Sequence, residues 1–271
     1  MAAMSFKLAL VQMLVEGGRR EANLARAAQR VAEAARAGAQ VVALPEALDL
    51  GWTHPSARTD AGAIPDGDTC TRLRALAREH KVFLCSGLVE RAGEKRFNSA
   101  VLLSPEGEVL LHHRKLNELD IAHDCYARGD RLGVVATPLG TFGVMICADA
   151  FAPGQVVSRT LGLMGAEIIL SPCAWAVVAK HDNAQQPYGQ LWLDNYCPVA
   201  RDFGLWIAGV SNVGWINAGP WQGRQCIGCS LVIGPDGKQV LMGPFGVAAE
   251  TILYVDVQPG RRPASGMGGA S

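Results

Sequence analysis

Residues 6–13 are apolar at nearly every position, with only Lys7 and Gln12 breaking the run. A run that short, with no helical period, predicts a buried strand. Residues 21–37 then switch to a period of 3.6, placing Leu24, Ala28, Val31 and Ala35 on one face and Arg26, Arg30 and Glu33 elsewhere. Gly38 follows as a helix stop. Strands at 41–44 and 82–87 flank a helix at 69–80. A hairpin is expected from 99–103 and 108–112, turned by Ser104-Pro105-Glu106-Gly107. The second half repeats this grammar. It predicts strands at 141–146, 167–170 and 205–210, and helices at 153–164 and, despite Pro198, at 188–202. A second hairpin, 226–233 with 238–241, turns around Gly234-Pro235-Asp236-Gly237 before a last strand at 249–257. Alternating strands and helices define an α/β layered fold. The similar turns in the two halves hint at internal pseudo-symmetry. No linker interrupts residues 1–258, so they are expected to form one domain, with 259–271, rich in Gly, Arg, Pro and Ser, as a loose tail.

Composition narrows the class. At 49% hydrophobic and 18% charged, the chain can fill a large core and does not read as disordered. Its 25 basic residues balance its 25 acidic ones, giving a formal net charge of zero. Phosphate-binding surfaces show as basic excess or basic runs, so neither nucleic acid nor a polybasic membrane contact is expected. No apolar run approaches the ~18 residues of a spanning helix. The apolar start is broken by Gln12 and leads to Glu16 rather than to a cleavage site, which argues against an export signal. Eight cysteines are scattered singly, unlike a disulfide framework. The expectation is a cytoplasmic protein with free thiols.

Three strand ends carry candidate chemistry. Val41-Val42-Ala43-Leu44-Pro45-Glu46 runs an apolar strand into a carboxylate, which is either solvated at the tip or held in a desolvated cleft. Val109 to Lys115 ends in the cationic run His112-His113-Arg114-Lys115, which on its own reads as a solvated hairpin end. Val144-Met145-Ile146-Cys147-Ala148-Asp149 ends a strand in a cysteine before a turn and a helix. A lone cysteine there is more often a small core residue. Together the three supply a thiol nucleophile, a carboxylate base and an ammonium for an oxyanion, the set that acyl transfer from nitrogen requires.

The trio Leu44-Pro45-Glu46-Ala47, His113-Arg114-Lys115-Leu116 and Met145-Ile146-Cys147-Ala148-Asp149 resembles the nitrilase, or carbon–nitrogen hydrolase, superfamily. The resemblance extends through Ala9-Leu10-Val11-Gln12, Phe97-Asn98-Ser99-Ala100 and Gly228-Cys229-Ser230, nearly the whole chain. It implies a four-layer α-β-β-α sandwich and a Glu46-Lys115-Cys147 catalytic triad, with the Ala148 amide helping Lys115 hold the oxyanion. It also implies a small-molecule substrate, a thioester on Cys147, no cofactor or metal, and a homodimer or higher homo-oligomer joined through helical faces. Lys115 is expected to favour the Cys147 thiolate.

Departures from the family pattern sharpen the reading. Many members carry a second active-site carboxylate after the lysine. Here Glu118, Asp120, His123 and Asp124 follow, and Asp124 is the expected one. Ala148-Asp149, where nitrilases usually place Trp-Glu, points to an amide or ureido substrate rather than a nitrile. Ala150-Phe151-Ala152 lacks the arginine with which carbamoyl-amino-acid hydrolases grip a carboxylate, and neither Arg159 nor Arg201 can be assigned that task from sequence. Trp175, in Ser171-Pro172-Cys173-Ala174-Trp175, either touches substrate or packs as a core aromatic, and Asn212 is a further candidate wall residue. Two rivals stand beside hydrolysis. One is redox or metal chemistry at Cys226-Ile227-Gly228-Cys229, which lacks a second ligand pair. The other is a binding or acyl-transfer protein on the same fold.

Overall fold

A computed structural model describes residues 5–260. The expected tail lies outside the described residues except for its first two positions. The elements run β1 (Phe6–Gln12), α1 (Arg20–Arg36), β2 (Val41–Ala43), α2 (Ala57–Asp60), α3 (Asp68–His80), β3 (Phe83–Ala92), β4 (Lys95–Leu103) and β5 (Val109–Arg114). The second half gives β6 (Val134–Thr137), β7 (Gly140–Val144), α4 (Val156–Leu163), β8 (Ile168–Cys173), β9 (Ala176–Val177) and α5 (Gln190–Phe203). It closes with β10 (Trp206–Ser211), β11 (Val213–Trp215), β12 (Gln225–Ile227), β13 (Leu231–Ile233), β14 (Gln239–Met242) and β15 (Thr251–Val257).

Two six-stranded sheets, in the orders β15-β1-β2-β3-β4-β5 and β14-β13-β10-β8-β7-β6, face each other, and a small sheet β11-β12-β9 is bridged through Val213 to Leu14, just after β1. Strand alternation explains the layers, because successive side chains point to opposite faces. On the first sheet Leu8, Leu10, Val41, Ala43 and Phe83 turn inward. They meet Phe142, Val144, Ile168, Leu170 and Val210 from the second. The intervening Ala9, Val11, Val42 and Leu84 pack outward on Leu24, Ala27, Val31, Leu73 and Ala77 of α1 and α3. Ile169, Ile207 and Leu231 likewise pack on Leu161 of α4 and on Trp192, Tyr196 and Val199 of α5. Both faces of each sheet are covered, so its central strands read as unbroken apolar runs. The order of layers is α-β-β-α, as the resemblance implies.

The two similar turns do sit at corresponding places: Ser104–Gly107 leads to edge strand β5 of one sheet, and Gly234–Gly237 to edge strand β14 of the other. Several boundaries differ from expectation. The third strand does not stop at Gly87 but continues to Ala92, turning at Gly93 into β4. Glu90 and Arg91 break the apolar pattern there, yet Glu90 is buried because Ser99, His112 and Arg114 all bind its carboxylate. The helix expected from 153 starts with a 3-10 turn, kinked at Gly154, and is regular only from Val156. The strand expected over 226–233 is broken at Gly228 and Cys229, both at positive φ. The buried face of α1 is Asn23, Leu24, Ala27, Val31 and Ala34, so Ala28 and Ala35 lie at its margin. Asn23 escapes any apolar pattern. Its amide donates to the Glu16 and Asp49 carbonyls and accepts the Glu16 N–H, tying the helix start to the loop after β2.

Leu10 lies fully buried between the sheets. Leu10→Ala is therefore expected to lower unfolding free energy by about 2–5 kcal/mol in a denaturant titration. Val178→Ala, at an exposed site, should change it by no more than about 0.5 kcal/mol.

Candidate active site

Strand alternation divides the cationic run His112-His113-Arg114-Lys115 between two faces. His112 and Arg114 point one way, to Glu90, with His112 Nε2 at 2.8 Å and Arg114 Nε at 2.9 Å. Burial alone would raise the Glu90 carboxyl, but Arg114, His112 and Ser99 hold it down at about 2. His113 and Lys115 point the other way, into the molecule, where they are 4% and 2% exposed. A run that looked like one solvated cluster is thus two half-clusters on opposite faces, His112 and Arg114 half-buried and His113 and Lys115 buried.

Lys115 Nζ donates to Glu46 Oε1 at 2.8 Å, and Asn98 Nδ2 donates to the same oxygen at 2.6 Å. Among the described residues no donor engages Glu46 Oε2. Glu46 is 1% exposed, in the loop that leaves β2. Its amide donates to the Cys173 carbonyl at 3.2 Å, so the loop of one sheet is pinned to a strand of the other. The turn also presses on β3: Leu48 donates to the Gly87 carbonyl, and Gly87 donates to that of Pro45. A Cβ built on Gly87 would lie 2.5 Å from Glu46 Cα.

The carboxylate beside Lys115 is Glu118, not Asp124. Glu118 Oε2 stands 3.5 Å from Lys115 Nζ, with its side chain 1% exposed. Asp124 is exposed and does not line the cavity. The reason is local: after Lys115 the chain runs through a turn that brings Glu118 back under the ammonium, whereas a 3-10 turn at Asp120–Ala122 carries Asp124 to the surface. Burial pushes the Glu118 carboxyl up to about 7, against the opposing pull of Lys115. Burial also works against the charge of Lys115, but Glu118 and Glu46 outweigh it and hold the ammonium protonated well above its ordinary range.

Cys147 opens a short 3-10 helix, Cys147–Phe151, directly after β7, with φ at +44°. A non-glycine residue in the left-handed region is strained, and such strain persists only where the surroundings fix it. Here the fixing group is Asp149, which is fully buried. Its Oδ2 accepts from Ile146 N–H at 2.9 Å and pairs with His113 Nε2 at 2.8 Å. Its Oδ1 accepts from the Leu116 and Asn117 amides at 3.0 and 2.8 Å. Asn117 Nδ2 closes the clamp on the Ala148 carbonyl at 2.6 Å. One carboxylate therefore holds the elbow of Cys147 and the loop of Lys115 together. Burial opposes its charge, yet His113 and the Ile146 amide keep Asp149 below the usual carboxylate range.

The expected thiolate is not what the surroundings favour at rest. Burial pushes the Cys147 thiol well above its ordinary range, contact with Cys173 and the Glu46 charge add to the rise, and Lys115 opposes them only in part. The ammonium is already shared between two carboxylates, so little of its field is left for sulfur. A neutral thiol requires a base in contact at the moment of attack.

Glu46, Lys115 and Cys147 open together into a cavity of about 310 Å³. Ala148 and Trp175 line it, with Trp52, Phe151, Tyr188, Leu191, Trp192 and Trp221 among the other walls. Trp175 is both pocket wall and core: it stacks on Trp192 at 4.5 Å between centroids. Asn212 instead borders a neighbouring hollow of about 20 Å³. Arg159 pairs with Asp202 at 3.0 Å, and Arg201 with the same carboxylate at 3.4 Å, so neither faces the cavity. Cys226 and Cys229 are buried, and burial pushes their thiols to about 12 and about 11. All eight cysteines are free, and no cluster of three or more metal-ligating side chains occurs among the described residues. No helix among them is long and apolar enough to cross a membrane. Asn98, Glu118 and Asp149 are the site residues that sequence reasoning did not assign. Asn98 and Asp149 lay within stretches already matched to the family, and Glu118 was among the weighed acids.

The comparisons with known proteins agree with this geometry. A family model described as carbon-nitrogen hydrolase matches residues 7–264. The chain is 32% identical over 241 residues to a protein named nitrilase from Pyrococcus abyssi, covering 87% of this chain and 84% of that one. It is 34% identical over 263 residues to omega-amidase NIT2-A of Xenopus laevis, covering 93% and 88%. Its fold matches an amidase from Nesterenkonia sp. with a TM-score of 0.78 at 22% identity, over 95% of this chain and 91% of that one. It also matches Saccharomyces cerevisiae Nit3, a member of branch 10 of the nitrilase superfamily, at 0.79 and 23%, over 95% and 92%. The chain belongs to the carbon-nitrogen hydrolase family of the nitrilase superfamily. It is an enzyme of that class.

Two outcomes test the site's construction. Gly87→Ala should displace Glu46 and cut turnover at least about tenfold while leaving the circular dichroism spectrum unchanged; unaltered turnover would show that the close approach is dispensable. Glu118 has its carboxyl raised in the folded state from an ordinary 4.5 to about 7. Its contribution to stability is thus fully present below about 4.5 and lost as pH rises to about 7. Comparing wild type with Glu118→Gln by thermal melts at pH 5 and pH 8, the wild type should lose more stability toward pH 8, and the difference should vanish if Glu118 ionises normally.

Proposed function

We propose that the protein hydrolyses the C–N bond of a small amide or ureido compound through a thioester on Cys147. The observation that carries this reading is the meeting of Glu46, Lys115 and Cys147 in one cavity, with Lys115 and Glu46 paired at 2.8 Å and the cysteine on a strained elbow. Substrate binding brings the carbonyl carbon against Cys147 Sγ. Glu46 Oε2 takes the thiol proton as sulfur attacks, and the carbonyl oxygen becomes an oxyanion between Lys115 Nζ and the Ala148 N–H. The C–N bond then breaks, Glu46 returns its proton to nitrogen, and ammonia or an amine leaves the acyl group on sulfur. Glu46 next takes a proton from water, hydroxide adds to the thioester carbon, and the carboxylic acid departs as Cys147 recovers its proton.

The raised thiol fits this order of events, because a neutral Cys147 and a charged Glu46 are the starting states it requires. Glu118 supports the reading as a group that holds Lys115 protonated without entering the cavity. An amide is favoured over a nitrile by Ala148-Asp149, where Asp149 is wholly engaged in the clamp. Omega-amidase and amidase names among the relatives point the same way. We further propose a cytoplasmic enzyme that assembles as a homodimer or higher homo-oligomer. The apolar side chains left exposed around α4, Val156 at 55% and Leu163 at 76%, support association through a helical face.

Incubation with a panel of amides and measurement of ammonia tests the reaction. Release is expected from wild type and should fall at least on the order of 10³-fold in Cys147→Ala. Intact-protein mass spectrometry of quenched turnover should find Cys147 carrying the amide's mass less ammonia. Undiminished release from Cys147→Ala would overturn the assignment.

A further inference from the structure

The cavity's walls define what the acyl side of the substrate can be. Apart from the reacting groups its lining is apolar and aromatic, led by the stacked pair Trp175 and Trp192 with Tyr188, Phe151 and Trp52. Tyr188 accepts the Trp192 indole N–H at 2.8 Å, and the indole N–H groups of Trp52 and Trp175 are neutral wall donors left without a partner. Among the described residues Lys115 is the only cation lining the cavity, and its charge is spent on Glu46 and Glu118. One ammonium against two carboxylates leaves the site neutral or negative as Glu118 titrates near 7.

Among the described residues no arginine lines the cavity to correct that balance. Arg159 and Arg201 share Asp202, and Arg114 is bound to Glu90. Arg224 stacks its guanidinium 4.0 Å above the Trp221 ring, yet it does not itself line the cavity. The chain leaves the described residues beyond β15, which ends beside Phe6 at the start of β1, the opposite end of the sheet from Glu46.

We infer that the enzyme takes uncharged amides with an apolar acyl group, alkyl or aryl, and rejects monoamides of dicarboxylic acids. This rests on the amide-hydrolysis reading and deepens it. A second carboxylate placed in this cavity would be desolvated with no free cation to pair it and repelled by Glu46, two effects of the same sign. At about 310 Å³ the space lies near the small end of ligand pockets. It holds an amide of roughly ten non-hydrogen atoms, at about 30 Å³ for each water-sized group. Phenylacetamide is of that size, and its ring would lie against the Trp175 and Trp192 wall.

The test uses butyramide and succinamate, amides of the same carbon count that differ in the charge at the far end, with phenylacetamide as the aromatic member. Binding is read from tryptophan fluorescence of the Cys147→Ala protein, which needs no chemistry, and kcat/KM from ammonia release by wild type. Butyramide is expected to bind at least tenfold tighter than succinamate, phenylacetamide tighter still, and kcat/KM to follow the same order. Equal or tighter binding of succinamate overturns the inference; if Arg224→Ala then abolishes that binding, the guanidinium over Trp221 is the anchor that was discounted. The ordered binding with no ammonia from any amide would uphold the cavity's selectivity while sinking the hydrolytic reading. Turnover that prefers succinamate would do the reverse.

Discussion

A carboxylate and an ammonium, both almost wholly removed from water, meet between the two sheets at 2.8 Å, and the rest of the site is arranged around that pair. Two isolated charges at this depth would be strongly disfavoured, and a buried pair persists only where geometry and extra hydrogen bonds offset the lost hydration. Asn98 supplies one such bond to Glu46, and Glu118 supplies a second negative charge to Lys115. The same contacts that make the pair tolerable also fix its chemistry. They direct one oxygen of Glu46 at the lysine, and they keep the lysine charged, as the proposed oxyanion role requires.

A second constraint places the nucleophile relative to that pair. Cys147 belongs to the second sheet and Lys115 follows the first, so nothing in either strand alone fixes their separation. Asp149 does so, binding the elbow through Ile146 and the lysine loop through Leu116, Asn117 and His113. With every bond of that carboxylate donated from within, the strained φ of Cys147 becomes a fixed feature rather than a fluctuation. The Glu46 amide on the Cys173 carbonyl closes the triangle from the third side.

How much of this could be read from the chain depends on range. Apolar runs and helical periods located the long elements but not α2, β6, β9 or β11, because they record burial by faces that are regular in sequence. The errors fell where a polar residue is buried by distant partners, as with Glu90 inside β3 and Asn23 inside the core face of α1. The choice between Asp124 and Glu118 failed for a local reason instead. Spacing after Lys115 says nothing of which acid the following turn folds beneath the ammonium. The thiol was misjudged because one nearby cation was weighed without the two carboxylates that already claim it.

By itself the sequence determined the layered α/β architecture and the three strand ends that carry a carboxylate, an ammonium and a thiol. These are local records: a buried face repeats at a fixed period, and a chemical group interrupts it. Only the tertiary structure decided which polar groups share one cavity, what protonation they hold at rest, and how the walls of that cavity are made. Those properties are sums over partners that lie 30 to more than 200 residues apart along the chain, as Asn98 with Glu46 and Gln12 with Ser230 illustrate. Burial acts on that sum, not on any single stretch of it.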